Sequence, residues 1–222
     1  MIFDESVGSA KSIQNKLILI GGGGHCKSIL SSVDRRKYTD IIIVDSKERV
    51  GDAVDGVMIA GTDDDLVDYY NMGYSDAFIA VGSVNSSSKR RNIYESLKKI
   101  GFYFPSIVDS SAVIANSAVI DEGVFIGKNA VVNAGSHIGK FSIINTGAIV
   151  DHDCDVGSFV HLSPGVTLSG VVSVGENTHI GTNSSVKQCV KIGSNTTVGM
   201  GSVVLKDIPS NCTAFGAPCK II

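Results

Sequence analysis

Residues 124–153 read VFIGKN AVVNAG SHIGKF SIINTG AIVDHD, and the third position of every hexad is Ile or Val. The spacing continues in both directions, so that an aliphatic residue recurs at every sixth position between residues 108 and 204. The complete series is Val108, Ile114, Ile120, Ile126, Val132, Ile138, Ile144, Val150, Val156, Leu162, Leu168, Val174, Ile180, Val186, Ile192, Val198 and Val204. An unbroken period of this length predicts a repeat architecture.

Each hexad has the pattern of one short strand followed by a corner. A small residue often stands two positions before the aliphatic one, as at Ala130, Ala148 and Cys154, and side chains two apart on a strand share a face. The remaining positions are often Gly or polar, as turns require. Three such strands make a triangular coil of about 18 residues, and coils stacked about 4.8 Å apart form a parallel β-helix roughly 25 Å tall. A β-sandwich would show irregular strand spacing instead.

The composition limits the class of protein. The chain has 222 residues, a net charge of −3 and five Cys without a CxxC pair. The acidic balance argues against a nucleic-acid or anionic-membrane partner. Scattered cysteines suggest reduced thiols, and no apolar run approaches a membrane span, so we expect a cytoplasmic protein.

The chain divides into four predicted parts. We expect a flexible leader in residues 1–15, an α/β domain in 16–105, the β-helix in 106–209 and a C-terminal tail in 210–222. Within the α/β part, apolar runs alternate with helical stretches, which predicts a parallel sheet covered by helices. At about 90 residues this unit is half of a dinucleotide fold.

A glycine-rich loop at residues 21–24 follows the first apolar run and precedes a predicted helix at 25–33. This order exposes backbone N–H groups to a phosphate, although four glycines can equally serve only as a tight turn. The strict GxGxxG pattern needs Gly at position 26, where Cys26 stands, so a hydride-transferring oxidoreductase is disfavoured. Asp45, after the second strand, is placed to contact a ribose or base, and Gly82 follows another strand at the same sheet edge.

The histidines of the repeat region fall at two kinds of position. His152 lies at a predicted corner between Asp151 and Asp153, whereas His137, His161 and His179 each precede an inward aliphatic residue and so point outward. Within one chain, the corner of His152 lies opposite the face that carries His161. The two imidazoles can therefore share a site only across a subunit boundary. Neutral imidazole suits general-base catalysis near pH 7, and a neighbouring carboxylate can fix its tautomer.

The hexads, residues 144–170 (INTGAIVDHDCDVGSFVHLSPGVTLSG) and the closing FGAPCK at 215–220 together resemble the left-handed parallel β-helix acyltransferases. The similarity is specifically to the nucleotide-sugar acetyltransferase branch of the PglD and NeuD type. It covers nearly the whole chain from residue 16 onward. Cys219 departs from the pattern, since Ala is more usual there.

The resemblance implies an acetyl-CoA-dependent N-acetyltransferase that acts on a UDP-, GDP- or dTDP-linked 4-amino sugar in a ternary complex. It implies a homotrimer with active sites between subunits, His152 as the base and Asp153 as its orienting partner. No metal is expected. The resemblance implies Gly22, Gly23, Gly24 and His25 as substrate-binding residues and His161 as a residue near acetyl-CoA. Their positions and residue types add Asp45, Gly82 and Asn145 to the predicted substrate-binding residues, and Gly170, Gly181, Gly199 and Lys220 to those predicted for acetyl-CoA.

Three other functions stay open. A sialic-acid-type O-acetyltransferase would use the same base on a hydroxyl. A metal-dependent hydratase like carbonic anhydrase would need three converging His, of which stacked His161 and His179 supply two at most. A non-catalytic scaffold would leave the glycine-rich loop and the His152 corner without a role.

Overall fold

The computed structural model describes residues 15–82 and 87–222. An α/β unit comes first and a parallel β-helix follows it, as the sequence predicts. Within those two ranges, no helix has both the length and the apolar character needed to cross a membrane.

The α/β unit has one five-stranded sheet. Its strands are β1 (Asn15–Ile20), β2 (Tyr38–Val44), β3 (Ala53–Val54), β4 (Val57–Gly61) and β5 (Asp76–Ile79), and its helices are α1 (Gly24–Leu30), α2 (Leu66–Asn71) and α3 (Ser88–Ile100). The strand order is β3-β4-β2-β1-β5, with β3 antiparallel and the other pairs parallel. From β1 the chain passes to β2, β4 and β3 on one side of β1 and then crosses to β5 on the other side. Between β1 and β5 lies the switch point at which such sheets bind ligands.

Several predicted boundaries differ from the observed ones. β1 already includes Asn15, and the other leader residues lie outside the described ranges. The helix predicted at residues 25–33 is shorter and ends at Leu30. The sequence also predicts a helix over residues 86–100, of which the first residue lies outside the described ranges.

The β-helix contains seventeen two-residue strands, β6 to β22, and each of them ends on one of the predicted inward aliphatic residues. The strands are Ile107–Val108, Val113–Ile114, Val119–Ile120, Phe125–Ile126, Val131–Val132, His137–Ile138, Ile143–Ile144, Ile149–Val150, Asp155–Val156, His161–Leu162, Thr167–Leu168, Ser173–Val174, His179–Ile180, Ser185–Val186, Lys191–Ile192, Thr197–Val198 and Val203–Val204.

Strands pair in parallel with the strand 18 residues further along, as in Ile126 with Ile144 and Ile144 with Leu162. This register confirms the predicted coil length. The strands form three faces: face 1 is β6-β9-β12-β15-β18-β21, face 2 is β7-β10-β13-β16-β19-β22 and face 3 is β8-β11-β14-β17-β20. We name each corner by the faces it joins, in chain order: corner 1/2, corner 2/3 and corner 3/1.

Side chains that point outward from face 1 connect the two units. Phe125 and Ile143 are buried in one cluster with Leu19 and Phe78 of the sheet. At corner 3/1, Phe141 and Phe159 stack with ring centroids 5.2 Å apart, and Tyr94 of α3 lies 4.6 Å from Phe141. The α/β unit therefore packs on face 1 and its neighbouring corner.

The backbone of these two phenylalanines is unusual. Phe141 and Phe159 have φ of 56° and 58°, in the left-handed region that bulky residues rarely adopt. Asn177 and Asn195 occupy the same corner in the next coils with φ of 56° and 55°, and Asn tolerates this region well. The aromatic packing offsets the backbone cost at the two Phe positions.

The residues predicted as a C-terminal tail instead continue the β-helix. β23 (Thr213–Phe215) extends face 1 in parallel, and β24 (Lys220–Ile221) pairs antiparallel with β23. Val203 N–H donates to Gly216 O at 3.0 Å, and Ile208 N–H donates to Lys191 O at 2.9 Å. The boundary at residue 209 was placed too early because these strands lack the aliphatic hexad pattern.

Candidate active site

An open cleft of about 610 Å³ lies at the carboxyl ends of the parallel strands. Segments that follow β1, β2, β4 and β5 line it together with α3. The lining residues are Ile20, Gly21, Val44, Asp45, Ser46, Lys47, Thr62, Asp63, Asp64, Asp65, Val81, Lys89 and Ile93. Its volume and its place beside the switch point suit a nucleotide.

Asp45 ties this cleft to the glycine-rich loop. Its Oδ2 accepts hydrogen bonds from Gly22 N–H and Arg49 Nη1, both at 2.7 Å, and its Oδ1 accepts one from Ser46 N–H at 2.7 Å. Burial alone would raise the pKa of Asp45, but these three donors outweigh it and lower the pKa. A carboxylate offers about four acceptor sites, so these three donors leave one site on Oδ1 unused.

The loop glycines differ in what surrounds them. A Cβ on Gly22 would lie 3.0 Å from Asp45 Oδ2, whereas a Cβ on Gly23 or Gly24 would meet nothing within 4 Å. Gly22 is thus packed against its own chain. Gly23 and Gly24 present open backbone beside the sheet edge.

His25 lies at the junction of the two units, near the start of α1. Its ring packs edge-on against Phe125 at 5.2 Å, and its Cβ lies 3.6 Å from the position of a Cβ on Gly82. Burial, and then the proximity of His161 and Arg90, lower the pKa of His25 to about 3. Its Nε2 is buried and has no hydrogen-bond partner among residues 15–82 and 87–222, so the neutral ring keeps a polar atom unpaired by this part of the chain.

His152 lies at corner 2/3, between β13 and β14, and is exposed. Its Nδ1 is 2.9 Å from Asp153 Oδ2, and its backbone N–H donates to Asp151 Oδ1 at 2.8 Å. The hydrogen bond with Asp153 and the charge of Asp151 raise the pKa of His152 above its ordinary value of 6.5. The carboxylate therefore holds Nδ1, and Nε2 lies beside Gly170 of the next coil.

Gly170 occupies the same corner in the next coil, directly beside this ring. A Cβ at Gly170 would lie 2.4 Å from His152 Nε2. Gly170 O accepts a hydrogen bond from Cys189 N–H, and the N–H of Gly170 donates to no acceptor in the described part of the chain. A free N–H donor thus lies next to the candidate base.

His161 and His179 stack on face 1 with ring centroids 5.1 Å apart, as the spacing predicted. His161 Nε2 lies 3.2 Å from Asn145 Nδ2, and His179 Nε2 lies 2.8 Å from Ser163 Oγ. Only 9% of His161 is exposed, and burial lowers the pKa of His179. Both rings point outward as predicted, but neither is freely solvated.

The structure confirms that one chain does not unite His152 with His161. His152 joins faces 2 and 3, whereas His161 belongs to β15 on face 1, across the prism. Asn145, which contacts His161, lies at corner 1/2. Among the described residues, no group of His, Cys, Asp or Glu is arranged to hold a metal ion.

The remaining predicted acetyl-CoA residues lie in the last coils. A Cβ on Gly181 would lie 2.5 Å from Met200 N, and one on Gly199 would lie 2.7 Å from Phe215 Cβ. Packing within the chain therefore already requires glycine at both positions. Lys220 is exposed in β24.

The sequence reasoning missed two arginines that lie near predicted site residues, Arg49 beside Asp45 and Arg90 close enough to His25 to affect its pKa. Arg49 stands four residues after Asp45, a spacing that could have suggested its ion pair. Arg90 is 1% exposed, and its buried Nε and Nη1 have no hydrogen-bond partner within the described part of the chain. Burial lowers the pKa of Arg90 to about 10, and no sequence pattern around it indicated that burial.

An acyl-cysteine route has no support at the buried thiols. Burial raises the pKa of Cys26 to about 12 and also raises that of Cys154. Cys154 lines the interior of the prism, as the sequence indicated. Neither thiol is poised as a thiolate.

Separate protein-family models match the α/β unit and the β-helix. The PglD N-terminal domain matches residues 16–97. The hexapeptide repeat of succinyl-transferase matches residues 117–152, and the bacterial transferase hexapeptide (six repeats) matches residues 172–206. No curated protein sequence matches the chain.

Solved structures extend the match to nearly the whole chain. A mutant of perosamine N-acetyltransferase from Caulobacter crescentus, in complex with CoA and GDP-perosamine, is 37% identical with a TM-score of 0.87, covering 94% of this chain and 97% of that one. The chain belongs to the PglD-like branch of the hexapeptide-repeat acyltransferases. The acetyltransferase domain of PglB from Neisseria gonorrhoeae, in complex with acetyl coenzyme A, is 35% identical with a TM-score of 0.84, covering 94% and 100%. WeeI from Acinetobacter baumannii, at 24% identity, a TM-score of 0.82 and coverage of 93% and 99%, shows the fold alone.

Membership of this branch confirms the expected left-handed β-helix and the recognition drawn from residues 144–170. The individual residue roles stay predictions.

Proposed function

We propose that this protein is an acetyl-CoA-dependent N-acetyltransferase that acetylates the amino group of a nucleotide-linked amino sugar. The observation that carries the proposal is the 2.9 Å contact between His152 and Asp153 at an exposed corner, in a chain that also has a nucleotide-sized cleft. The bound CoA and GDP-perosamine of the Caulobacter relative support both ligand classes.

In this reaction, the sugar amine attacks the thioester carbonyl of acetyl-CoA. His152 Nε2 accepts the proton that the amine loses, while Asp153 at Nδ1 stabilises the imidazolium that forms. The tetrahedral intermediate then collapses, the C–S bond breaks and CoA leaves as the thiol once it is protonated. The free N–H of Gly170 is a donor for the developing oxyanion.

The nucleotide would lie in the cleft at the sheet edge. Gly22, Gly23, Gly24 and His25 are proposed to hold the diphosphate, and Asp45 the ribose. Gly82 leaves room beside His25 at the same edge. The sugar then extends toward the β-helix, because His25 already contacts Phe125 of face 1.

We also propose a parallel homotrimer, and the outward residues of the three faces support it. Face 1 carries the α/β unit, and face 3 presents polar groups such as Asp155 and Lys191. Face 2 presents Val113, which is 62% exposed, with Ile149 and Val203 also exposed. Exposed apolar side chains repeated along one face of a prism are typical of a subunit interface.

A threefold axis beside face 2 would complete the site. Face 2 lies between corners 1/2 and 2/3, so corner 2/3 of each subunit would meet corner 1/2 of the next. His152 would then approach Asn145 and His161 of a neighbouring copy. The groove between the two corners would hold CoA, with His161 near the thioester and Gly181, Gly199 and Lys220 further along.

Cytoplasmic location is part of the proposal. All five cysteines are free, and reduced thiols are the rule in that compartment.

The deciding assay measures thiol release from acetyl-CoA with GDP-, UDP- and dTDP-linked 4-amino sugars, with sialic acid alongside. Turnover with one nucleotide amino sugar is the expected result and identifies the nucleotide. Turnover with sialic acid alone would replace the proposal with O-acetylation, and no turnover with any acceptor would contradict it.

The base is tested by His152→Ala, which we expect to lower kcat by about 10² to 10⁴. His137→Ala is the matched control, since His137 is also a β-helix histidine, is partly exposed, and contacts Asp155 at 3.0 Å and Asp121 at 3.3 Å. Sedimentation should show a trimer for both variants. Near-normal turnover by His152→Ala would reject its role.

A further inference from the structure

Corner 2/3 repeats the same backbone position in five successive coils. The residues at this position, each 18 after the last, are Asn116, Ala134, His152, Gly170 and Gln188. None of the five has a positive φ. The backbone therefore does not require glycine at position 170, and the coils on either side carry ordinary side chains there.

The space that a side chain at position 170 would fill is occupied by the ring of His152. A Cβ on Gly170 would lie 2.4 Å from Nε2, 2.6 Å from Cε1 and 3.1 Å from Cδ2 of that ring. Contacts this short are not tolerated between real atoms. Because the obstructing atoms are the end of an exposed side chain and not backbone, the ring would move and the coil would stay.

Asp153 has a similar neighbour in the preceding coil. A Cβ on Gly135 would lie 2.5 Å from Asp153 Oδ1, while Asp153 Oδ2 bonds the ring at 2.9 Å. Gly135 has a φ of 69°, but Asp153, Val171 and Cys189 occupy this corner position with φ of 57°, 62° and 62°. Non-glycine residues thus fit the corner, and the carboxylate of Asp153 is what fills the space beside Gly135.

We propose that Gly170, assisted by Gly135, is a positioning residue that keeps the His152 ring in contact with Asp153 by leaving its space empty. This inference rests on the proposed role of His152 as the base. Any side chain at position 170 pushes the imidazole away from Asp153 and carries Nε2 out of line with the amine. The backbone N–H of residue 170 is retained in an alanine variant, so the loss is confined to the position of the ring.

Gly170→Ala tests the proposal, with Gln188→Ala as the matched control at the same corner. We expect Gly170→Ala to lower kcat about 10²-fold, the cost of a displaced catalytic group, with KM for both substrates changed less than about threefold. Gln188→Ala should behave as the wild type. In a His152→Ala background, the further change Gly170→Ala should have no effect, because the ring that it displaces is gone.

A second readout does not depend on acetyl transfer. NMR titration of the His152 ring in the trimer should show a lower pKa in Gly170→Ala than in the wild type, since the hydrogen bond to Asp153 that raises this pKa is lost. An unchanged titration together with wild-type kcat would overturn the proposal. So would a rise in KM for acetyl-CoA at unchanged kcat, which would indicate a clash with the cofactor.

The two proposals fail in different ways. If the wild type acetylates no nucleotide amino sugar but the His152 titration still shifts in Gly170→Ala, the steric role stands and the proposed function fails. If the wild type is active and neither kcat nor the titration responds, the function stands and the role of Gly170 fails.

Discussion

Mixed trimers of two inactive variants give a quantitative test of the shared site. In the proposed arrangement, each site takes His152 from one subunit and His161 from the next. A His152→Ala subunit still supplies His161, and a His161→Ala subunit still supplies His152. In a ring of three that contains both variants, only one of the three boundaries joins an intact His152 to an intact His161.

The expected activity follows from this count. Co-expression with two affinity tags, followed by sequential purification, isolates trimers that contain both kinds of subunit. Such trimers should have about one third of wild-type activity per trimer, whichever variant is in excess. A random mixture prepared at equal amounts should have about one quarter, since it also contains inactive trimers of a single kind.

The assay is thiol release from acetyl-CoA, with each single-variant trimer as the baseline. If the mixed trimers show only this baseline activity, the shared site is refuted, and His152 and His161 must act together within one chain. Activity well above one third would show that the two histidines act independently. Trimers of His137→Ala with wild-type subunits control for effects of tagging and co-expression.

Three further predictions concern single residues. Asp153→Asn removes the hydrogen-bonded charge that raises the pKa of His152. The acid limb of the kcat/KM pH profile should therefore move to lower pH, and kcat should fall at least about 10²-fold. An acid limb that does not move would contradict the pairing of Asp153 with His152. Asp109 is 4% exposed and accepts hydrogen bonds from Ser32 Oγ at 2.7 Å and Lys128 Nζ at 2.8 Å, so Asp109→Asn should cost about 2 kcal/mol and lower Tm by about 6 °C at pH 7. Burial alone would raise the pKa of Asp109, but the hydrogen-bond donors around it lower that pKa. The wild type therefore loses this stabilisation as the pH falls through the pKa of Asp109 in the folded protein. The difference in Tm between the wild type and Asp109→Asn should shrink in acid. Phe159→Ala removes the ring stacked on Phe141. It should lower the free energy of unfolding by about 3 kcal/mol or more and lower Tm by about 10 °C in thermal unfolding. An unchanged Tm would show that the two units dock by other contacts.

The β-helix could be predicted from the sequence because its determinant is local and periodic. Every inward aliphatic residue from Val108 to Val204 ends a strand, since each coil repeats the same short-range geometry. The place of His152 at a corner and of His161 on the opposite face follows from the same count. The parallel sheet was equally readable from the alternation of apolar runs and helices.

The docking of the α/β unit could not be read in this way because it depends on contacts far apart in the chain. The sequence held one indication of this docking, because Phe125 and Ile143 are apolar residues at outward positions of a prism. That signal would have indicated a covered face and a buried His25. Nothing in the hexads indicated that a ring beside Gly170 fills the space of a missing side chain.

The reversal of the chain at β24 limits how these prisms can associate. A parallel β-helix ends in open strand edges, which are templates for the addition of further strands. Here Gly216 and Cys219 pair with Val203, Ile208 pairs with Lys191, and β24 runs antiparallel to β23. The outermost strand of face 1 at this end of the prism therefore runs against the direction of the coils, which disfavours the head-to-tail stacking of another copy in register.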